Sequence, residues 1–244
     1  MTCTIPEQTS LVAFYPLMFS EVSGTGITTD LALSPRPATV GTSISFIQGP
    51  GPATVSHFVG SNSLELSTSS SPAVIFANKF TVSAYVKFTI TSEHVSSMDE
   101  LFPLFAYKNE GAAPSPAILL SPSGLGRMIY ESSSSQQSVD FSLGTAIGVE
   151  DWVYITITYD GSQIMLTKDL STSGTPTAVS PSPSFVLTNL YIGSTDMSIS
   201  QSTFGGAIAC FSIYNIVLSS SDQTLLKNAC DSYQSGASWL YYND

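Results

Sequence analysis

Short runs rich in β-branched and aromatic residues recur along the chain: SLVAFYPL, TSISFI, NSLELS, KFTVSAYVKFT, LFPLFAYK, AILLSP, GRMIYES, SVDFSLG, DWVYITITY, QIMLTK, NLYIGS and GAIACFSIY. Turn residues separate them, and the spacing predicts an antiparallel sandwich. Alternation is clearest in FTVSAYVKF, where Phe80, Val82, Ala84, Val86 and Phe88 share one face and Thr81, Ser83, Tyr85 and Lys87 the other. That pattern predicts a half-buried strand. In DWVYITITYDG nearly every residue from Trp152 to Tyr159 is β-branched or aromatic, and Asp160-Gly161 supplies a tight turn into QIMLT, so a hairpin is expected. The apolar run Leu11 to Phe19 has about the length of a signal-peptide core, but no basic residue precedes it and Pro16 interrupts it. A strand buried on both faces, with a bulge or bend, is the better expectation. One helix is predicted near the end, with Ser221 as its cap, Asp222 in its first turn, and Leu225, Leu226 and Ala229 on its buried face.

With 244 residues and 43% hydrophobic content the chain can bury a large core, and a single domain over 1–244 is expected. Only 10% of residues are charged, and 18 acidic against 7 basic side chains give a net charge of −11. The surface is therefore neutral-polar with a negative field, which opposes nucleic acid and anionic membrane and suits a bound cation. No segment approaches the ~20 apolar residues of a transmembrane helix, so membrane insertion is not expected. Glu131–Ser138 and Leu170–Ser184 are low in complexity, but each is flanked by strands and reads as a surface loop. Cys3, Cys210 and Cys230 have no metal-type spacing. In an oxidising compartment one bridge is expected, Cys3 with Cys230 joining the two ends, with Cys210 a buried thiol in its strand.

Four segments in order, FTVSAYVKFT, DWVYITITYDG, NLYIGS and FGGAIACFSIYNIVLSSSDQTLL, resemble the signature of laminin-G-like and pentraxin-like domains in the concanavalin A-like lectin/glucanase superfamily. Trp152, Tyr159, Asp160, Gly161, Ile192, Gly193, Gly206, Ile208, Ile213, Tyr214, Asn215, Leu218 and Ser219 fill the family's places. The resemblance implies a jelly-roll sandwich of two curved antiparallel sheets with one short C-terminal helix. Tyr85 stands where Trp is frequent, Ala209-Cys210 replaces an acidic pair, and YITITY lacks the His and Cys of true pentraxins.

No nucleophile elbow, P-loop or dinucleotide fingerprint occurs, and His57 and His94 lie in no catalytic motif. Glucan-cleaving relatives place carboxylates at alternate strand positions, whereas no Glu-x-Asp occurs here and Asp99-Glu100 and Glu150-Asp151 are adjacent pairs. The expectation is a non-enzymatic domain. Pentraxin-like members draw calcium oxygens from two loops, and the resemblance carries that role by position to Asn109 and Glu110, and to Asp196 and Gln201. One carboxylate per loop, with Lys108 beside the first, fits a pair of solvated rim loops as well as a Ca²⁺ site. For sugar contact, Tyr107 and Tyr130 flank polar loops, as do Trp239, Tyr241 and Tyr242 in the terminal SWLYYND, which is expected to pack back across the sandwich. Family habit implies an extracellular recognition domain, secreted or on a surface protein, that takes a glycan or protein ligand at its loop rim, with oligomers compatible. A structural or adhesive self-assembly module without a small-ligand site is the alternative, and a degenerate glycoside hydrolase relative a third.

Overall fold

The computed structural model describes residues 5–15, 17, 27–28, 38–40, 45–50, 54–58, 64–66, 78–89, 97–108, 115–133, 135–183, 185, 189–193 and 204–234. Its strands are β1 Leu11–Tyr15, β2 Ile27–Thr28, β3 Ala38–Val40, β4 Ser45–Gln48, β5 Thr54–Phe58, β6 Leu64–Leu66, β7 Phe80–Phe88, β8 Phe102–Lys108 and β9 Ala117–Leu120. They continue with β10 Leu125–Ser132, β11 Ser135–Ser142, β12 Val153–Tyr159, β13 Gln163–Lys168, β14 Thr172–Ser173, β15 Thr177–Ala178, β16 Asn189–Ile192 and β17 Gly206–Tyr214, before helix α1, Ser220–Gln234. Two antiparallel sheets result. The first runs β14-β13-β12-β7-β17-β5-β4, with β1 beside β17 and β15 beside β13; the second runs β11-β10-β9-β8-β16-β6-β3-β2.

One core lies between the sheets. Phe80, Val82, Ala84, Val86 and Phe88 of β7 enter it from the first sheet, with Val153, Ile155, Ile157 and Tyr159 of β12. Phe105, Tyr107, Ile118, Leu120, Met128 and Tyr130 enter it from the second. Period-two alternation therefore selects the interior side of each strand. The expected hairpin forms as written. The Asp160 carboxylate accepts the Ser162 and Gln163 N–H groups and the Ser162 hydroxyl, all at 2.8 Å, and Gly161 takes φ +100°. A side chain is disfavoured at that φ, and a Cβ there would also meet the Asn78 carbonyl at 3.1 Å. In β1 a register shift falls between Leu11 and Ala13, and all of its residues but Val12 are buried, while Pro16, on which the expected bulge or bend rested, lies outside the described residues.

The outer face of β7 differs from expectation. Thr81, Ser83 and Tyr85 are as buried as their inward neighbours, because α1 lies across the outside of the first sheet. Tyr85 packs there with Phe14, Tyr154, Tyr214, Leu226 and Cys230. Its hydroxyl donates to Asp231 on the helix, and Lys227 binds the same carboxylate at 2.9 Å with its ammonium over the Tyr85 ring. The helix begins two residues earlier than its sequence suggests: the cap is Ser219, whose Oγ accepts the Asp222 N–H at 3.2 Å, rather than Ser221. Leu226, Ala229 and Cys230 face the sheet, whereas Leu225 is 46% exposed.

The disulfide joins Cys210 to Cys230, with Cα atoms 5.9 Å apart, and not Cys3 to Cys230. The cause is a bulge. The pairing of β17 with β7 shifts register between Ala209 and Ser212, so that Ala209 and Cys210 both face outward while Ile208 and Phe211 face inward. Cys210, at φ +52°, is thereby turned to the sheet face that carries Cys230. Cys230 then has no valence left for Cys3, which lies outside the described residues.

Candidate ligand-binding face

The β10–β11 ribbon of the second sheet has a polar exterior. Where Met128 and Tyr130 of β10 point into the core, Arg127, Ile129 and Glu131 must point out, and register places Asp140, Ser138 and Gln136 of β11 directly opposite them. Gln136, Ser138 and Asp140 are exposed, and Arg127 and Glu131 partly so. Arg127 and Asp140 form a cross-strand pair with two contacts, Nε to Oδ1 at 2.5 Å and Nη2 to Oδ2 at 2.9 Å. Hydrogen bonding to the guanidinium holds the Asp140 carboxyl below the usual range and raises Arg127, so both stay charged at neutral pH. Gly126 permits this ribbon to close, since a Cβ there would fall 2.1 Å from the Phe141 ring that lies across it.

Beside the ribbon the exterior turns apolar. Ala106, Ala117, Leu119 and Ile129 form a buried outer cluster. Tyr191 pairs with Ala106 on β8, so it shares the outer side while Leu190 and Ile192 go inward. Among the described side chains of this face, the β10–β11 ribbon presents a guanidinium, two carboxylates, an amide and a hydroxyl. Such groups suit the hydroxyls of a sugar, which both donate and accept.

The residues expected to bind are arranged otherwise. Tyr107 and Tyr130 are 2% and 1% exposed and belong to the interior. They occupy the inward positions of β8 and β10, so their rings offer no platform to a sugar. Burial also raises the Tyr130 phenol. Asn109, Glu110, Asp196 and Gln201 lie outside the described residues, as do Trp239, Tyr241 and Tyr242. The strands that lead to the first four are described. β8 and β16 are antiparallel, with Lys108 opposite Asn189 and Ile192 opposite Phe105, so β8 runs toward residue 109 at one end of the sheet and β16 toward residue 194 at the other. The second loop leaves and returns at Gly193 and Phe204, which share a backbone hydrogen bond of 2.8 Å. Among the described residues no group of three or more His, Cys, Asp or Glu is placed to hold a metal. No described helix is long and apolar enough to cross a membrane.

Arg127, Gln136, Ser138, Asp140 and Tyr191 did not stand out in the sequence. The signal that finds Arg127, Ser138 and Asp140 is alternation read across the hairpin, once Met128 and Tyr130 are inward; Gln136 was hidden because Glu131–Ser138, expected as a surface loop, holds the ends of β10 and β11, and Tyr191 lies on β16.

No curated protein matches the sequence significantly. Solved structures do match the fold. The fourth domain of an extracellular arabinanase from Geobacillus stearothermophilus, in complex with arabinotriose, superposes with TM-score 0.61 at 18% identity, over 89% of this chain and 98% of that one. The binding domain of Paraclostridial Mosquitocidal Protein 1 gives TM-score 0.65 at 15% identity, over 93% of this chain and 53% of that one. The binding domain of Botulinum Neurotoxin DC in complex with SialylT gives 0.63 at 12% identity, over 91% and 52%. This chain thus spans nearly all of the arabinanase domain and about half of each toxin chain. A laminin-G family model described as concanavalin A-like lectin/glucanases superfamily matches residues 59–222, more than half of the chain, and the two-sheet sandwich with its outer helix agrees: this chain belongs to the concanavalin A-like lectin/glucanases superfamily.

Proposed function

We propose that this chain is an extracellular carbohydrate-recognition domain that holds a glycan along the β10–β11 ribbon without turning it over. The observation that carries the reading is the ordered row of Arg127, Asp140, Ser138 and Gln136 on the outside of a charge-poor sandwich. Fixing a guanidinium and carboxylate against each other presents planar polar groups already oriented, which lowers the ordering cost of binding a flexible sugar. Structural neighbours that carry arabinotriose or SialylT support a glycan as the ligand, and the disulfide suits an oxidising, extracellular setting. Binding fits better than hydrolysis. Glu131 and Asp140 sit at register positions opposite Gln136 and Arg127, roughly 13 Å apart along the strands, beyond the ~5 to 9.5 Å that a glycosidase pair spans. Asp140 is also held as an anion, the reverse of a general acid.

Calorimetric titration with oligosaccharides chosen from a glycan array tests the reading. Arg127→Ala together with Gln136→Ala is expected to weaken binding by about tenfold or more, since each hydrogen bond to a charged group contributes about 1.5–3 kcal/mol. The fold should survive, because both positions are on the surface. An empty array with concentration-dependent oligomers would favour the self-assembly module instead, and turnover of any glycan would overturn the binding reading. The same titration in EDTA tests calcium. Loss of binding on chelation, reproduced by Asp196→Ala, would assign a Ca²⁺-assisted form to the loop of Asp196 and Gln201; Asn109 and Glu110, reached from the opposite end of β8, would need a separate test with Glu110→Ala.

A further inference from the structure

Resting on the glycan reading, we propose that the β10–β11 face takes neutral oligosaccharides and rejects glycans that carry carboxylates. An anionic sugar needs a cation that the protein can turn toward it, and the basic side chains that the structure describes, which leave out those of Arg36 and Lys108, are already engaged. Arg127 is paired with Asp140 through Nε and Nη2, one edge of its guanidinium, so that its charge is offset by a fixed carboxylate. Lys87 lies 3.7 Å from Glu150, and Lys227 lies 2.9 Å from Asp231 while resting over the Tyr85 and Tyr154 rings. Lys168 donates to the Ala146 and Ile147 carbonyls at 3.1 and 2.9 Å, closing the segment before β12. Lys79 stands near the Asp160 carboxylate and helps keep it ionised. These are five of the seven basic residues of the chain, against 18 acidic ones.

The field at the ribbon adds to this. Glu131 and Asp140 lie on the ribbon itself, and the whole molecule carries −11. A sialic acid or uronate placed there meets carboxylates within a Debye length of about 10 Å at 0.1 M salt, with the Arg127 charge already paired to Asp140. A neutral sugar meets no such cost. Its hydroxyls can donate to Asp140 and Glu131 and accept from Gln136 and from the outer edge of Arg127.

The test is a paired titration in low salt, with neutral pentose and hexose oligosaccharides against the same chains bearing a terminal uronate or sialic acid. Neutral forms are expected to bind at least tenfold tighter, with the gap narrowing as salt rises. Asp140→Asn, which frees the guanidinium, is expected to raise affinity for the acidic forms several-fold. Equal or tighter binding of acidic glycans to the natural chain overturns the inference and leaves the glycan reading standing. Failure of both series to bind overturns the glycan reading, and the inference with it.

Discussion

Asp160 shows how one side chain can fix a turn. It accepts three hydrogen bonds from Ser162 and Gln163 beyond the turn glycine, and those bonds, with the Gln163 and Ser162 amides first among them, hold its carboxyl below the usual range. A group whose folded pKa is depressed contributes its stability in full above the unfolded value, about 3.9 for Asp, and loses it as pH falls toward the lower folded value. Asp140, depressed by Arg127, acts in the same direction. Asp160→Asn keeps an oxygen that can accept the same backbone N–H groups and removes the proton linkage. Its stability, followed by urea denaturation from pH 6 down to pH 3, is expected to fall less steeply than that of the natural chain; identical acid limbs would show that the carboxylate contributes nothing through ionisation. The Asp160-Gly161 signal was legible in the sequence because the chemistry of the turn is local. Tyr107 and Tyr130 were not legible as core residues, because their flanking polar loops suggested exposure. Which side of a strand is inward depends on its partner across the sandwich, and no local pattern states that.

Among elements, α1 is the one whose setting depends most on distant residues. Its amphipathic face was readable at Leu226 and Ala229, but Leu225 faces solvent because the disulfide and the Tyr85–Asp231–Lys227 contacts set the rotation of the helix. The pairing of the cysteines was illegible for a related reason. Strict alternation sends Cys210 inward with Ile208, and only the bulge at Ala209 and Cys210 turns it out. Once the bulge is known, the bridge follows. It closes a loop of 20 residues, so reduction, or Cys230→Ser, is expected to cost roughly 3 kcal/mol by loop entropy. Cys3→Ser should leave the melting temperature unchanged. A loss for Cys3→Ser equal to that for Cys230→Ser, in the oxidised protein, would restore a bridge between the two ends.

For the whole molecule, the decisive feature is that neither sheet has an interior without the other. The ring of Phe105 on the second sheet meets Phe211 on the first at 5.9 Å, and Phe102 meets Phe88 at the same distance, so the central packing is made between sheets rather than within them. The strands that supply it are interleaved along the chain: β7 belongs to the first sheet, β8 to β11 to the second, β12 and β13 to the first again, β16 to the second and β17 to the first. No cut through the sequence separates two halves that could each bury an apolar face. Loss of any strand from this core therefore exposes residues contributed by both sheets. The outer cluster under α1 is smaller and is pinned to the same β17 by Cys210. The oxidised chain is accordingly expected to unfold as one cooperative unit. Differential scanning calorimetry should give one transition with calorimetric and van't Hoff enthalpies in agreement. Two resolved transitions would mean that part of the chain outside the described residues forms a separate unit, and would overturn the reading of residues 1–244 as a single domain.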